Sequence, residues 1–284
     1  MRTMILAAAG LLLAACGETQ VGVDSPVADP YDGPLTVAPR PDSPDPAKRG
    51  GSAALALECE GDVYAAGGGD YADSGLETVQ DDPRAAFSDF ADQEGGAYPG
   101  PVDDFVVERV EDGRVLLSYD VDGETKVALV VADGVRDWKD DTGWGVEAWA
   151  QCDPAELPAG VAEAHGDEVW EDAQGNRVPV TTVTSHRGPE HCDWQDIVFL
   201  SMGSERYPAD HLFLRDEEGL LQDLLRTTFS DSVALPRDAT DTGYQHDGRR
   251  LWLAADGSAA YLVSTSDRTD VERWPAASSL IGCD

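Results

Sequence analysis

The chain has 284 residues, of which 55 are Asp or Glu and 20 are Lys or Arg, for a formal net charge of −35, and 42% of it is hydrophobic. That hydrophobic share supports real cores and excludes global disorder, and the length accommodates one large domain or two modest ones. So acidic a surface repels polyanions, which excludes nucleic acid and disfavours anionic lipid headgroups as partners.

At the amino terminus Arg2 precedes an apolar run that continues through Leu11-Leu12-Leu13-Ala14-Ala15. The run is shorter than the roughly 20 residues a membrane-spanning helix needs. It matches the h-region of an export signal. It closes on Leu13-Ala14-Ala15-Cys16, which resembles the lipobox of bacterial lipoproteins. The resemblance implies a signal peptide over 1–15, cleavage before Cys16, diacylglycerol on its sulfur, and palmitate-type acylation. Several acyl chains, at about 0.8 kcal/mol per buried CH₂, make a stable anchor. The expected location is therefore the extracytoplasmic face of the cell membrane, held by lipid. Only Lys48, Lys126 and Lys139 represent lysine, against many Ala, Gly, Asp and Arg. That bias suggests a GC-rich genome, and with its lipobox, acidic composition and Cys-bounded domains the chain resembles two-part lipoproteins of high-GC Gram-positive bacteria, a likeness that implies an envelope location and no defined activity.

From 16 to 54 no hydrophobic period survives, and Pro26, Pro30, Pro34, Pro39, Pro41, Pro44 and Pro46 interrupt the chain. This predicts the lipidated Cys16 followed by a disordered tether, reaching on the order of 100 Å at about 3.1 Å per residue.

Residues 55–153 read as an α+β domain. A short strand is expected at 55–60. Asp82 and Pro83 open a helix with Phe87, Phe90 and Ala91 on one face, stopped by Gly95-Gly96. Asp112-Gly113, Asp122-Gly123 and Asp133-Gly134 mark turns between alternating runs, and a last strand is expected at 144–151. The layout is a helix laid on an antiparallel meander. With Trp144, Val146 and Ala148 facing the core, Trp149 falls on the opposite face, where it is either covered by the tether, the helix or the second domain, the favoured reading, or exposed to serve a glycan or protein partner.

Pro154, Pro158 and Gly160 make 154–163 a linker. Residues 164–284 read as a mostly β domain, with strands expected at 167–171, 177–186, 194–200, 211–215, 249–254 and 258–264. Asp256-Gly257 joins the last two. Asp216 and the leucines Leu220, Leu221, Leu224 and Leu225 predict a short helix near 217–226.

Beyond Cys16, the four cysteines Cys59, Cys152, Cys192 and Cys283 are an even set in an exported chain and read as disulfides. Of three connectivities, Cys59–Cys152 and Cys192–Cys283 each bracket one expected domain. His186, Glu190, His191 and Asp193 form the densest group of titratable side chains and are the candidates for a metal or acid–base site. Pro189 denies them the helical presentation of zincin motifs. No dinucleotide, P-loop, nucleophile-elbow or EF-hand spacing occurs, and no cofactor is expected. The expectation is an envelope binding or interaction module without chemistry of its own, meeting a cell-wall or protein partner. The alternative is an envelope hydrolase or metalloenzyme built on the 186–193 cluster.

Overall fold

The computed structural model describes residues 30–68, 79–93, 104–164, 166–203 and 211–282. The export segment, Cys16, Gly95-Gly96 and Cys283 lie outside the described residues. The fold is mostly β, with three antiparallel sheets.

The chain enters as a strap over 30–37 and continues into α1 (Pro46–Arg49) and α2 (Gly51–Leu55). It then forms β1 (Ala65–Gly68), α3 (Pro83–Gln93), β2 (Val106–Glu111), β3 (Arg114–Val121), β4 (Glu124–Arg136) and β5 (Thr142–Gln151). The five strands make one sheet in the order β1-β5-β4-β3-β2. Asp82 starts α3 as expected, accepting the Ala85 amide at 2.9 Å. Ala86, Phe87 and Phe90 pack with Phe105, Val115, Leu117, Leu129 and Val131 on one face of the sheet. The Asp-Gly pairs at 112–113 and 122–123 turn with positive φ at both residues, the two-residue hairpin geometry.

The opposite face is covered by residues expected in the tether. Leu35 is 1% exposed and packs with Ala53, Ala54, Leu116, Ala128, Val130 and Ala150. Arg109 donates to the carbonyls of Tyr31 and Gly33, and the Tyr31 amide donates to Glu108. A Cβ at Gly51 would collide with the Val37 carbonyl, and Gly51 sits at φ 50°, so only glycine suits this crossing. The disordered tether over 16–54 is thus corrected for residues 30–54. Its alanines are too small and too few to show a period, yet their size lets the strap and α2 approach the alanine-lined sheet.

Three other expectations change in this half. Residues 55–60 are irregular rather than a strand. Asp133-Gly134 is a bulge inside β4, and the turn comes later, at 137–141. Trp149 does not share the outer face. A second bulge between the Val130 and Val131 pairings shifts the phase of β5 by one residue. Val146 and Trp149 therefore face α3, Ala148 faces the strap side, and Trp149 is half-buried beside Gly67 of β1.

The expected linker is ordered as a 3₁₀ turn (Pro154–Glu156) and α4 (Ala159–Ala164). Next come β6 (Glu168–Val169), β7 (Val183–Arg187), β8 (Val198–Met202) and β9 (Leu212–Arg215), a sheet in that order. β10 (Thr240–His246), β11 (Arg249–Leu253), β12 (Ala259–Ser264) and β13 (Val271–Pro275) make the third sheet. Arg177 makes only an isolated bridge to Glu171 and 178–182 are irregular or turn rather than strand, and 217–226 forms only a 3₁₀ turn at Gln222–Leu224, with Gly219 at φ 73°. Asp216 still caps this segment, accepting the amides of Leu220 and Leu221.

Single antiparallel bridges join these two sheets along both edges, Glu171 to Gln245 and Phe213 to Ala276. The hydrogen-bonded order therefore closes on itself as β6-β7-β8-β9-β13-β12-β11-β10, a ring of eight strands. Alternation along the strands confirms the enclosure. Trp170, Val183, Leu200, Phe213, Leu251, Leu262 and Trp274 share one inner core. Phe199, Leu212 and Leu214 point outward under Leu221 and Leu225, and Tyr261 and Val263 point outward under Val233 and Leu235.

Candidate functional site at the mouth of the ring

The inner positions of the ring are apolar along most of its length and turn polar at one end. Glu168 starts β6 opposite Ser185 at the middle of β7, and Arg215 ends β9. His246 ends β10, Arg249 starts β11, and Glu272 lies near the start of β13. Neighbouring strands run antiparallel, so these starts and ends meet at one mouth. With the indoles of Trp170 and Trp274 they line a cavity of about 150 Å³. An eight-stranded ring leaves an interior of about the width that side chains fill or one small ligand occupies.

The two indoles are fixed from behind. Trp170 donates to Ser185 Oγ at 3.1 Å, and Ser185 in turn donates to Glu168. Trp274 donates to Glu272 Oε2 at 2.8 Å, and Arg249 pairs with Glu272 Oε1 at 3.1 Å. His246 lies over Trp170 with ring centroids 5.5 Å apart. Its Nδ1 stands 3.1 Å from the Val169 carbonyl and its Nε2 3.5 Å from Glu168 Oε2. A carbonyl only accepts, so Nδ1 carries the hydrogen. A proton on Nε2 as well makes the contact with Glu168 an ion pair. On the other wall Arg215 Nη2 pairs with Glu217 at 2.6 Å, while its buried Nε meets no protein acceptor among the described residues.

A larger groove of about 740 Å³ lies between the five-stranded sheet and the ring. Arg177, Asp153 and Glu156 in its lining hold the surrounding segments together. Arg177 donates to the Leu157 and Pro154 carbonyls, and burial lowers its pKa. Asp153 accepts the amides of Ala155 and Val180 at 2.9 and 3.0 Å. Burial raises its carboxyl above the ordinary range, against these bonds. Lys126 meets Glu156 at 3.0 Å, Glu124 at 2.8 Å and the Glu58 carbonyl at 2.6 Å. Those contacts make this groove a joint, whereas the mouth of the ring joins no second body.

The residues singled out from sequence lie elsewhere. His186 is 6% exposed on the outside of the ring, stacked on Phe199 at 5.6 Å. Glu190, His191 and Asp193 sit exposed on the following 3₁₀ turn, with Asp193 at φ 59°. These four are not drawn into one site. Among the described residues the sole cluster of three or more His, Cys, Asp or Glu at ligating spacing is Cys59, Cys152 and Glu156. Its two sulfurs are the Cys59–Cys152 disulfide. Cys192 is also disulfide-bonded. Trp149 is taken up by packing. No helix among the described residues is long and apolar enough to cross a membrane.

The mouth residues carried one faint sequence signal, a charged residue at the inward position ending an apolar strand, as in Leu212-Phe213-Leu214-Arg215. Neither protein-family models, nor curated proteins, nor solved structures match this chain, so its site is interpreted from its own chemistry.

Proposed function

We propose that the chain is a lipid-anchored extracytoplasmic envelope protein that acts as a binding module, with a sheet domain over 55–153, joined by the 154–163 linker, carrying a β domain over 164–284. Its ligand enters the mouth of the ring. One observation carries this reading: every strand of the ring contributes to a small polar cavity floored by two fixed indoles. The anchor rests on the Leu13-Ala14-Ala15-Cys16 sequence, and a cell-wall or protein partner on the envelope location that follows from it.

The test is intrinsic fluorescence of the detergent-solubilised full chain, titrated with small polar compounds of several classes. Trp170 and Trp274 line the cavity, so an occupant should give a saturable change. A flat response across all classes would remove the mouth as a binding site. In parallel, an alkyne fatty acid should label the wild type and leave Cys16→Ser unlabelled; equal labelling would remove the anchor.

A further inference from the structure

We infer that the outer face of the layer formed by the strap, α1 and α2 is the surface on which the protein rests on its own membrane, with Val37 and Leu55 entering the lipid headgroup boundary and Arg40 and Lys48 meeting lipid phosphates. This rests on the anchor reading above and goes beyond it, since an anchor by itself leaves the body free to present any side.

The layer has two sides. Leu35, Ala53 and Ala54 face inward and pack on the five-stranded sheet. On the other side Val37, Ala38, Arg40, Ala47, Lys48 and Leu55 line an open groove of about 330 Å³. Gly51 and Leu55, four residues apart, lie on one side of α2. Gly51 is packed against the Val37 carbonyl, which also accepts the Ser52 amide at 2.9 Å. Val37 and Leu55 are thus brought together at the surface, 42% and 52% exposed. Two exposed apolar side chains across one groove make a contiguous patch rather than scattered single residues.

Two observations identify what covers it. The first is charge. Residues 30–55 hold Asp32, Asp42 and Asp45 against Arg40, Lys48 and Arg49, so this layer is neutral in a chain of net charge −35. Anionic lipid repels the rest of the body, and at about 0.15 M salt that repulsion reaches only about 8 Å from each charge. The neutral layer is therefore the side that can approach. Its cations are available at the groove. Arg40 is exposed, and Lys48 meets only the partly exposed Asp45 at 3.1 Å, a pair that solvent weakens. Arg49 is instead taken up within the layer, donating to the carbonyls of Ser43 and Ala66. Long cationic side chains around an apolar patch are the arrangement of an element that lies in a membrane interface. The second observation is connectivity. From Cys16 the chain reaches residue 30, the start of this same layer, through 17–29, on the order of 40 Å at full extension. The layer is the part of the body that the lipid holds closest.

The experiment places a photoreactive benzophenone side chain at position 55 of the full lipidated chain, reconstituted in vesicles of phosphatidylglycerol and phosphatidylcholine, with position 220 as control. Leu220 is 56% exposed and precedes Leu221, which covers the outside of the ring. The expected result is a lipid adduct from position 55 well above that from position 220. Arg40→Gln combined with Lys48→Gln should lower that adduct at least about fivefold, the contribution of one cation near an anionic surface. Vesicles of phosphatidylcholine alone should lower it as well. Should the derivative at 55 misfold, position 37 gives the same readout. Equal lipid adducts from 55 and 220 would overturn the docked face, as would an adduct to a second copy of the chain or a yield indifferent to the two Gln substitutions. Flotation of the vesicles separates the two readings. A chain that floats with equal adducts loses only the face, whereas a chain that stays at the bottom loses the anchor and the face with it.

Discussion

Both faces of the five-stranded sheet carry an apolar core, under α3 on one side and under the strap with α2 on the other, with Lys126 and Gln151 among its few buried polar side chains. In the eight-stranded ring the core lies inside, and the last inward layer at one end holds Glu168, Arg215, His246, Arg249 and Glu272. A layered sheet brings its own covers and can close completely. A ring supplies its own wall, so its ends remain open and its terminal layer is where polar chemistry is tolerated. That difference separates a region closed on both faces from one that keeps a polar end open.

The largest expected effect tests whether the two regions are separable. The Cys59–Cys152 disulfide spans 93 residues and lies wholly in the sheet half. Replacing both cysteines with Ser should cost about 4–5 kcal/mol in the chain-entropy account. Scanning calorimetry should show a transition of the sheet moving down while that of the ring stays in place. A single transition moving as a whole would fuse the two regions into one unit.

A smaller effect is expected from the cover of the sheet. Leu35→Ala should destabilise the protein by about 2–4 kcal/mol, the ordinary range for a buried leucine. The check is urea unfolding at equilibrium. A change within experimental error would return residues 30–37 to a loose tether and leave one face of the sheet bare.

That strap was the least legible part of the fold, and the reason is physical. Proline punctuation denies a helix or strand, but it does not deny packing, and one buried leucine among alanines leaves no period to read. The α3 helix and the Asp112-Gly113 and Asp122-Gly123 turns were legible because cap and turn residues act locally. Strand β3 was legible as a strand, although Val115-Leu116-Leu117 is buried on both faces rather than alternating. Trp149 was misplaced because a bulge changes the phase of a strand without changing its composition. In the ring, β10 was missed, since Thr240-Asp241-Thr242-Gly243 carries no apolar pattern, although Asp247-Gly248 after it is a hairpin signal of the kind read elsewhere. The mouth was illegible for another reason. Its residues come from strands spread over some hundred positions, and closure of the ring is what assembles them.

The smallest expected effect is in pH dependence, where the joint and the ring rim act in opposite senses. Burial raises the Asp153 carboxyl in the folded state. Its contribution to stability is therefore fully present below the unfolded value of about 3.9 and lost as pH rises through the raised folded value. The rim carboxylates Asp172, Asp256 and Asp267 are lowered by their bonds to Asn176, Ser258 and Thr269, so their contribution is present above the unfolded value and lost as pH falls through the folded one. Asp153→Asn should remove only the first component, flattening the fall in stability as pH rises from 4 to 7. Urea midpoints measured between pH 4 and pH 7 check this. Parallel profiles for variant and wild type would mean that Asp153 titrates as an ordinary carboxyl.

Because the strap binds the sheet from residue 30 onward, a lipid anchor at Cys16 leaves only residues 17–29 as leash. At about 3.1 Å per residue this is on the order of 40 Å, against roughly 100 Å if the chain were loose to residue 54. The volume a leashed body sweeps scales with the cube of its reach, so the shorter leash concentrates the protein roughly fifteenfold near its own patch of membrane. If the proposed anchor and binding role hold, a captured ligand would stay within that thin layer, and a second membrane-bound component acting on it would meet it at a local concentration set by the fold of the strap rather than by expression.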